Sequence, residues 1–495
     1  MQQRLKRHRP AGFPSALRWF GLMMTAALLV LCSRPSAVAG TPQSYSDLEF
    51  PPIAEIQLPE YERLELDNGM VVYLLEDRRL PLVSGSALIR AGSRLEPDNQ
   101  VGLAELTGTV LRSGGTQQHA ADELNQMLEQ RAATVETSIG ESFGSASFDA
   151  LSADLETVFS LFAEVLRTPA FAPEKVELAK VQKRGEIARR NDDPGDIANR
   201  EYQKVVYGES SPYARTVEYE TLDNITREDL VDYYQQNFRP ERMILGIVGD
   251  FDSEQMKELI EENFGDWQPA AATEAAVPAA EQNYESGVFV VNQPQLTQSH
   301  ILLGHLGGQF DHPDYPVLSV LNEVLNGFGG RLFNEVRSRQ GLAYSVYGVW
   351  SPRYDYPGLF IAGGQTRSDA TVPFIRAVMS EIEELRTNPI EEAELERAQE
   401  AILNSFVFNF DQPSEVLERL MRYEYFGYPE NFIFEYREAV QATTVADVLR
   451  AAQEHLQPEK IVTLVVGNMN EIQPPLSSLE TEVTTLDVEL PQSGV

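Results

Sequence analysis

The chain has 495 residues, 42% of them hydrophobic, enough for more than one folded domain, and its formal charge of −35 argues against nucleic acid as a partner. Cys32 is the only cysteine. It lies in the segment 1–39, which reads as a signal peptide, so the mature chain would have none; a disulfide scaffold, a cysteine-based zinc site and a cysteine nucleophile are excluded on that reading, and folding must rest on burying apolar area.

In chain order, residues 1–39 stand apart. Arg4, Lys6, Arg7, Arg9 and Arg18 precede an apolar run from Trp19 to Leu31, and Ala37-Val38-Ala39 offers a small-residue cleavage site before Gly40. This is the layout of a secretory signal peptide, which predicts export across the cytoplasmic membrane to the periplasm or the medium. The run is short for a transmembrane helix; an uncleaved anchor is the alternative. Removing the segment takes away six Lys and Arg and no acid, so the remainder is more acidic still. Such charge favours solubility. It reads first as a solvated acidic surface and second as a bias towards basic peptides.

Residues 40–58, rich in Pro, Ser and Thr, read as an extended lead-in to a first domain over 59–267. Leu64 and Leu66 alternate, Asp67-Asn68-Gly69 makes a hairpin turn, and Val71 to Leu75 returns. Val83 to Ile89 is a third strand. A short helix follows Gly102, with Leu103, Leu106, Val110 and Leu111 on one face and Gly114-Gly115 as its stop. Ala121 to Gln130 reads helical, two strands fall within 134–147, and Ala153 to Arg167 is a strongly amphipathic helix. Pro173 to Arg190 is a long polar helix, ended before Pro194. Arg242 to Val248 is an apolar strand and Ser253 to Phe264 a helix. Residues 268–284, rich in Ala, Pro and Glu, form a linker.

A second domain over 285–475 repeats the first. Arg167-Thr168 corresponds to Arg386-Thr387 and Pro194 to Pro413, both at an offset of 219. Pro240-Glu241-Arg242 and Gly249 correspond to Pro458-Glu459-Lys460 and Gly467 at 218, and Gly115 to Gly330 at 215. A nearly constant offset over such a span is a duplication. Each half alternates hairpin strands with amphipathic helices, which predicts an α+β fold of two homologous halves, each an antiparallel sheet with helices packed on one face. Residues 476–495, low in aromatics, read as a mobile tail.

The order Ala91-Gly92-Ser93-Arg94-Leu95-Glu96, then Gly102-Leu103-Ala104, then a helix ending in Gly-Thr, resembles the zinc-site segment of the pitrilysin/insulinase family of metallopeptidases, which includes the mitochondrial processing peptidases. The resemblance covers nearly all of 58–475 and implies two halves arranged as a clam shell around a chamber. In that family the helix carries His-x-x-Glu-His: two histidines bind zinc and the Glu activates the metal-bound water. Laid on this chain, the two His positions are Glu105 and Thr109, and the catalytic Glu position is Gly108. The third ligand falls on Glu186 and its helper Glu on Ala179. One carboxylate survives of five positions, so the resemblance is to a member without a zinc site: no catalytic residue and no metal ligand in this chain.

The second motif is Gly-Arg-Leu-Phe-Asn-Glu-Val-Arg-Ser-Arg-Gln-Gly-Leu-Ala-Tyr-Ser-Val-Tyr-Gly, from Gly330 to Gly348. Asn334 to Arg339 reads as a helix end, Gly341 as its stop and Leu342 to Val349 as a strand. Taken alone, Arg337 would be a surface ion pair and Tyr344 a core residue. The resemblance implies instead that Arg337 and Tyr344 bind substrate near the zinc, Arg through fixed N–H donors and Tyr through a hydroxyl aimed at an oxyanion. The histidines His8, His119, His300, His305, His312 and His455 form no i, i+3 or i, i+4 pair, and His300 and His305 point to opposite faces of one strand. They read as structural.

In the family, short two-domain members often pair, one subunit with the zinc motif and the other with the Arg/Tyr pair. The leading expectation is a secreted, non-catalytic, substrate-binding subunit that processes or degrades peptides in a heterodimer with a zinc-bearing homologue. No cofactor is expected in this chain, zinc being the partner's. The alternative is a peptide-binding or scaffold protein without peptidase activity. An independent peptidase with a rebuilt site has little support, since no G-x-S-x-G elbow or Walker loop is present.

Overall fold

The computed structural model describes residues 56, 58–269, 276–327 and 329–488. The segment 1–39 read as a signal peptide, nearly all of the expected lead-in, residues 270–275 of the expected linker, residue 328 and the last seven residues lie outside them.

The first half opens with the expected hairpin, β1 (Glu62–Glu65) and β2 (Val71–Glu76), turned at Gly69 with φ +87°. Asn68 fixes the turn by donating from Nδ2 to the Phe264 carbonyl at 2.7 Å. Then come β3 (Leu82–Ile89), α1 (Leu103–Ser113), α2 (Ala121–Glu129), β4 (Thr134–Ile139), β5 (Gly144–Leu151), α3 (Leu155–Arg167) and α4 (Pro173–Arg189). The half continues with α5 (Pro194–Tyr207), α6 (Tyr219–Asp223), α7 (Arg227–Asn237), β6 (Met243–Gly249) and α8 (Ser253–Phe264). The sheet runs β1-β2-β6-β3-β5-β4.

The second half repeats this plan. β7 (Gly287–Asn292), β8 (Gln298–Leu306), α9 (Tyr315–Asn326), a π-helix (Phe333–Arg339), β9 (Ala343–Ser351) and β10 (Leu359–Arg367) are followed by α10 (Thr371–Thr387) and α11 (Glu392–Ser405). Then come α12 (Pro413–Phe426), α13 (Phe432–Ala442), α14 (Val445–His455), β11 (Val462–Gly467) and β12 (Val483–Thr485). The order is β12-β7-β11-β8-β10-β9.

Two expectations are corrected. Each sheet is mixed rather than antiparallel, because the strand that closes each half returns after a long helical crossover and inserts beside the opening hairpin. β6 thus lies parallel to β2 and antiparallel to β3, and β11 lies parallel to β7 and antiparallel to β8. The second correction is the tail. Within 476–488, Leu476 is buried in the core of the half, and β12 joins the sheet, pairing in parallel with β7 with Val483 opposite Val288. Low aromatic content hid a strand whose anchors are aliphatic.

The halves also exchange a helix. Ile197, Ala198, Tyr202, Val205 and Val206 of α5 pack onto β7, β8 and β11 of the second half. Val416, Leu417, Leu420 and Met421 of α12 pack onto Tyr73, Leu75, Leu88 and Ile244 of the first. In β6, Met243, Leu245 and Ile247 face the half's own helices while Ile244 faces α12. Burial on both faces explains why β6 is an unbroken apolar run and β11 one interrupted only by Thr463. Gly246 leaves room for Met421, whose sulfur lies 2.3 Å from where a Cβ would sit. Polar contacts pin the junction: Arg63 and the Tyr73 hydroxyl both donate to Glu424, and buried Arg94 meets Asp355 at 2.6 Å.

Candidate functional site

The α1 helix starts at Gly102, whose φ of +106° favours glycine. Its first N–H groups are met by a side chain from the preceding loop: Gly102 N–H and Ala104 N–H donate to the two carboxylate oxygens of Glu96 at 3.0 and 2.9 Å. Burial pushes the Glu96 carboxyl up to about 7, against the pull of those two donors. Leu103, Leu106, Val110 and Leu111 are buried as expected, which turns Glu105 and Thr109 outward on one face.

The fold brings Glu105 and Glu186 together, 81 residues apart in sequence, and places a cation between them. That cation is Lys183, whose ammonium donates to Glu105 Oε1 and to Glu186 Oε2, the latter at 2.6 Å. Lys183 is only 14% exposed, against 48% for Glu105 and 60% for Glu186. Burial lowers its pKa, but the hydrogen bonds to the two carboxylates outweigh that and hold it above the usual lysine range. Lys183 was missed from sequence; its i, i+3 spacing to Glu186 was the available signal.

The position of the water-activating Glu is closed as well. A Cβ on Gly108 would lie 2.5 Å from Ile139 N and 2.8 Å from Ser138 C, so the backbone of β4 occupies the space any side chain would need. Thr137 Oγ1 seals the contact, donating to the Gly108 carbonyl at 2.7 Å. Zinc does not fit these residues. An ammonium stands between the two carboxylates, no imidazole joins them among the described residues, and the β4 backbone leaves no room for a base at 108.

Arg337 and Tyr344 are brought together, on the π-helix and on β9, which is an edge strand. The helix ends at Gly341 with φ +63°, and the Leu342 N–H returns to Val336 O at 3.0 Å, so the chain reverses directly into the strand. The start of this turn is clamped by Arg331, bidentate to Glu394 of α11 at 2.8 Å on both oxygens. The Arg337 guanidinium lies 4.7 Å over the Phe333 ring and 5.1 Å over the Tyr344 ring. Tyr344 is 83% exposed. It is therefore not a core residue. With Phe333, also exposed, it forms an aromatic platform around one guanidinium.

Of the histidines, His119 pairs with Glu164 at 2.8 Å. His305 is buried, bonded to Leu306 O and Gln457 N–H, while His300 lies on the same strand and is half-buried. His312 and His455 meet at Asp314, which spacing alone did not show. His8 lies outside the described residues.

Two family models match the chain in tandem: Insulinase (Peptidase family M16) over residues 72–214, and Peptidase M16 inactive domain over 224–402. An uncharacterized zinc protease of Mycobacterium leprae is 32% identical over 40% of this chain, a match that spans 45% of its own length. The Bacillus subtilis zinc protease YmxG is 23% identical over 72% of this chain and 86% of its own. A Helicobacter pylori protein named as a non-peptidase homolog, also YmxG, is 22% identical over 82% and 93%. Among solved structures, a peptidase M16 inactive domain from Pseudomonas fluorescens superposes with a TM-score of 0.75 at 24% identity, covering 83% of this chain and 98% of that one. The two models together span residues 72–402 but for 215–223 and take in both motif segments, and the chain belongs to the insulinase family, peptidase family M16.

Proposed function

We propose that this chain is the non-catalytic, substrate-binding subunit of a heteromeric zinc peptidase, working on peptides with a zinc-bearing homologue. The observation that carries this reading is a contrast within one chain. The metal position is filled by the Lys183 ammonium and the base position is closed by β4, while Arg337 and Tyr344 stand preformed and solvent-facing. Arg337 supplies N–H donors to peptide carbonyls, and the Tyr344 hydroxyl, which makes no packing contact that needs it, donates to developing negative charge. The zinc and the water-activating base belong to the partner. Export by the segment 1–39 puts the pair outside the cytoplasm. No helix among the described residues is long and apolar enough to cross a membrane.

The test is turnover of a quenched peptide by the pair reconstituted from this chain and a homologue encoded beside it with His-x-x-Glu-His. Tyr344→Phe should slow turnover by roughly a hundredfold, the loss of one oxyanion donor. Arg337→Lys keeps charge but loses the planar fork and should raise KM. Melting temperature should hold in both, because Tyr344→Phe keeps the exposed ring and Arg337→Lys keeps a cation beside the Phe333 and Tyr344 rings. Normal turnover in both variants would overturn the substrate-contact role and leave a scaffold protein, whose exposed aromatic platform would then be a docking surface.

A further inference from the structure

We propose that His312, Asp314 and His455 form a binding site for a divalent transition metal, on the second half and apart from the peptidase-type site. One potential ligand atom from each lies within 4.8 Å of the others. His312 comes from the loop before α9, Asp314 is the residue that begins that helix, and His455 ends α14. The fold thus converges two imidazoles 143 residues apart on one carboxylate.

The local chemistry suits a metal. Asp314 N–H donates to His312 Nδ1 at 3.1 Å, so that nitrogen carries no proton, and a metal taking its lone pair would displace this one backbone contact. His455 Nε2 lies 2.8 Å from Asp314 Oδ2, and the proton between them is the one a metal would replace, passing to solvent. The two rings stand edge to face at 4.7 Å, and buried Trp350 packs against His455 at 5.4 Å, a dry wall that fixes the ring. Arg450 shares the carboxylate, Nη2 to Oδ1 at 2.6 Å and Nη1 to Oδ2 at 2.9 Å. It is half-exposed and has a second acceptor in Glu454 at 3.2 Å, so it can release Oδ2 and keep Oδ1. Two imidazole nitrogens and one carboxylate oxygen select zinc, nickel or copper over magnesium or calcium, and leave a fourth position for water. Bound metal would clip the loop to the last turn of α14.

The test uses the full chain after dialysis against chelator, titrated with Zn2+ by calorimetry and with Co2+ by visible absorption. The wild type should take one equivalent of each, and Mg2+ and Ca2+ should give no signal. His312→Ala should weaken binding by roughly a hundredfold or more, beyond what losing an outer partner costs. Arg450→Gln should bind at least as tightly, since a competing cation is gone. The Glu105→Gln, Glu186→Gln double variant should bind as the wild type does, which keeps this site independent of the peptidase reading. His312 is only partly buried, so its variant should fold; if its melting temperature falls, His312→Asn is titrated instead. Absence of binding in the wild type, or equal binding in the folded His312 variant, would overturn the assignment.

Discussion

Lys183→Met tests whether the ammonium is the resident cation of the degenerate site. Methionine keeps the length and apolar stem of the side chain and removes only the charge. The Glu105 and Glu186 oxygens both lie within 2.6 Å of Lys183 Nζ, so they are no more than about 5 Å from each other. Two bare carboxylates at that distance repel by about 1 kcal/mol in water and about 3 kcal/mol at an effective dielectric of 20. Both are roughly half exposed, which puts the cost at the lower end. Losing a partly exposed ion pair adds at most about 1 kcal/mol. The expected destabilisation is therefore about 1–2 kcal/mol, read as a lowered urea midpoint at low ionic strength and diminished in high salt. Lys183→Arg should keep most of the wild-type stability. In the Met variant alone, millimolar Mn2+ should raise the midpoint, because the vacated gap is then lined by two carboxylates. A Met variant as stable as the wild type at low salt, and indifferent to Mn2+, would refute the reasoning.

Further predictions concern neighbouring features. Gly108→Ala puts a methyl group against the β4 backbone and should cost about 1–3 kcal/mol, with faster amide exchange over 134–139 than in the wild type; unchanged exchange there would contradict the close contact. Glu96 is held near 7 by burial, above its ordinary 4.5, so it binds its proton more tightly folded than unfolded. Its stabilising contribution is complete below about pH 4.5 and is lost as pH rises through 7, about 3 kcal/mol in all; Glu96→Gln should flatten the urea midpoint between pH 5 and pH 8. Met421→Ala empties the contact over Gly246 and should cost about 2–5 kcal/mol, lowering the unfolding transition of both halves together rather than of one.

Much of this was legible in the residues because local pattern and local structure agree. The hairpin around Asp67-Asn68-Gly69, the helix after Gly102 and the span Ser253–Phe264 follow from turn chemistry and periodicity alone. The helix Pro194–Tyr207 was not foreseen, because Pro194 was weighed as the end of one helix when it is the first residue of the next. Its apolar positions, Ile197, Val205 and Val206 among them, do recur at helical spacing, yet nothing local says they face the other half's sheet. At the site, the lost zinc motif could be read residue by residue. The occupant of the gap could not, since Lys183 meets Glu105 only through tertiary packing across 78 residues. The same limit hid Asp314 as the meeting point of two distant histidines.

The exchanged helices bear on how the protein can be made. The first sheet has one face whose main cover is residues 413–426, so a ribosome must deliver more than four-fifths of the chain before that face is closed. A nascent first half would present Tyr73, Leu75, Leu88 and Ile244 to solvent throughout. Domains ordinarily fold in the order they emerge. Here the earlier half must wait for the later one. Cutting the linker after folding should leave two fragments that stay together, whereas expressing either fragment alone should leave it needing a holdase.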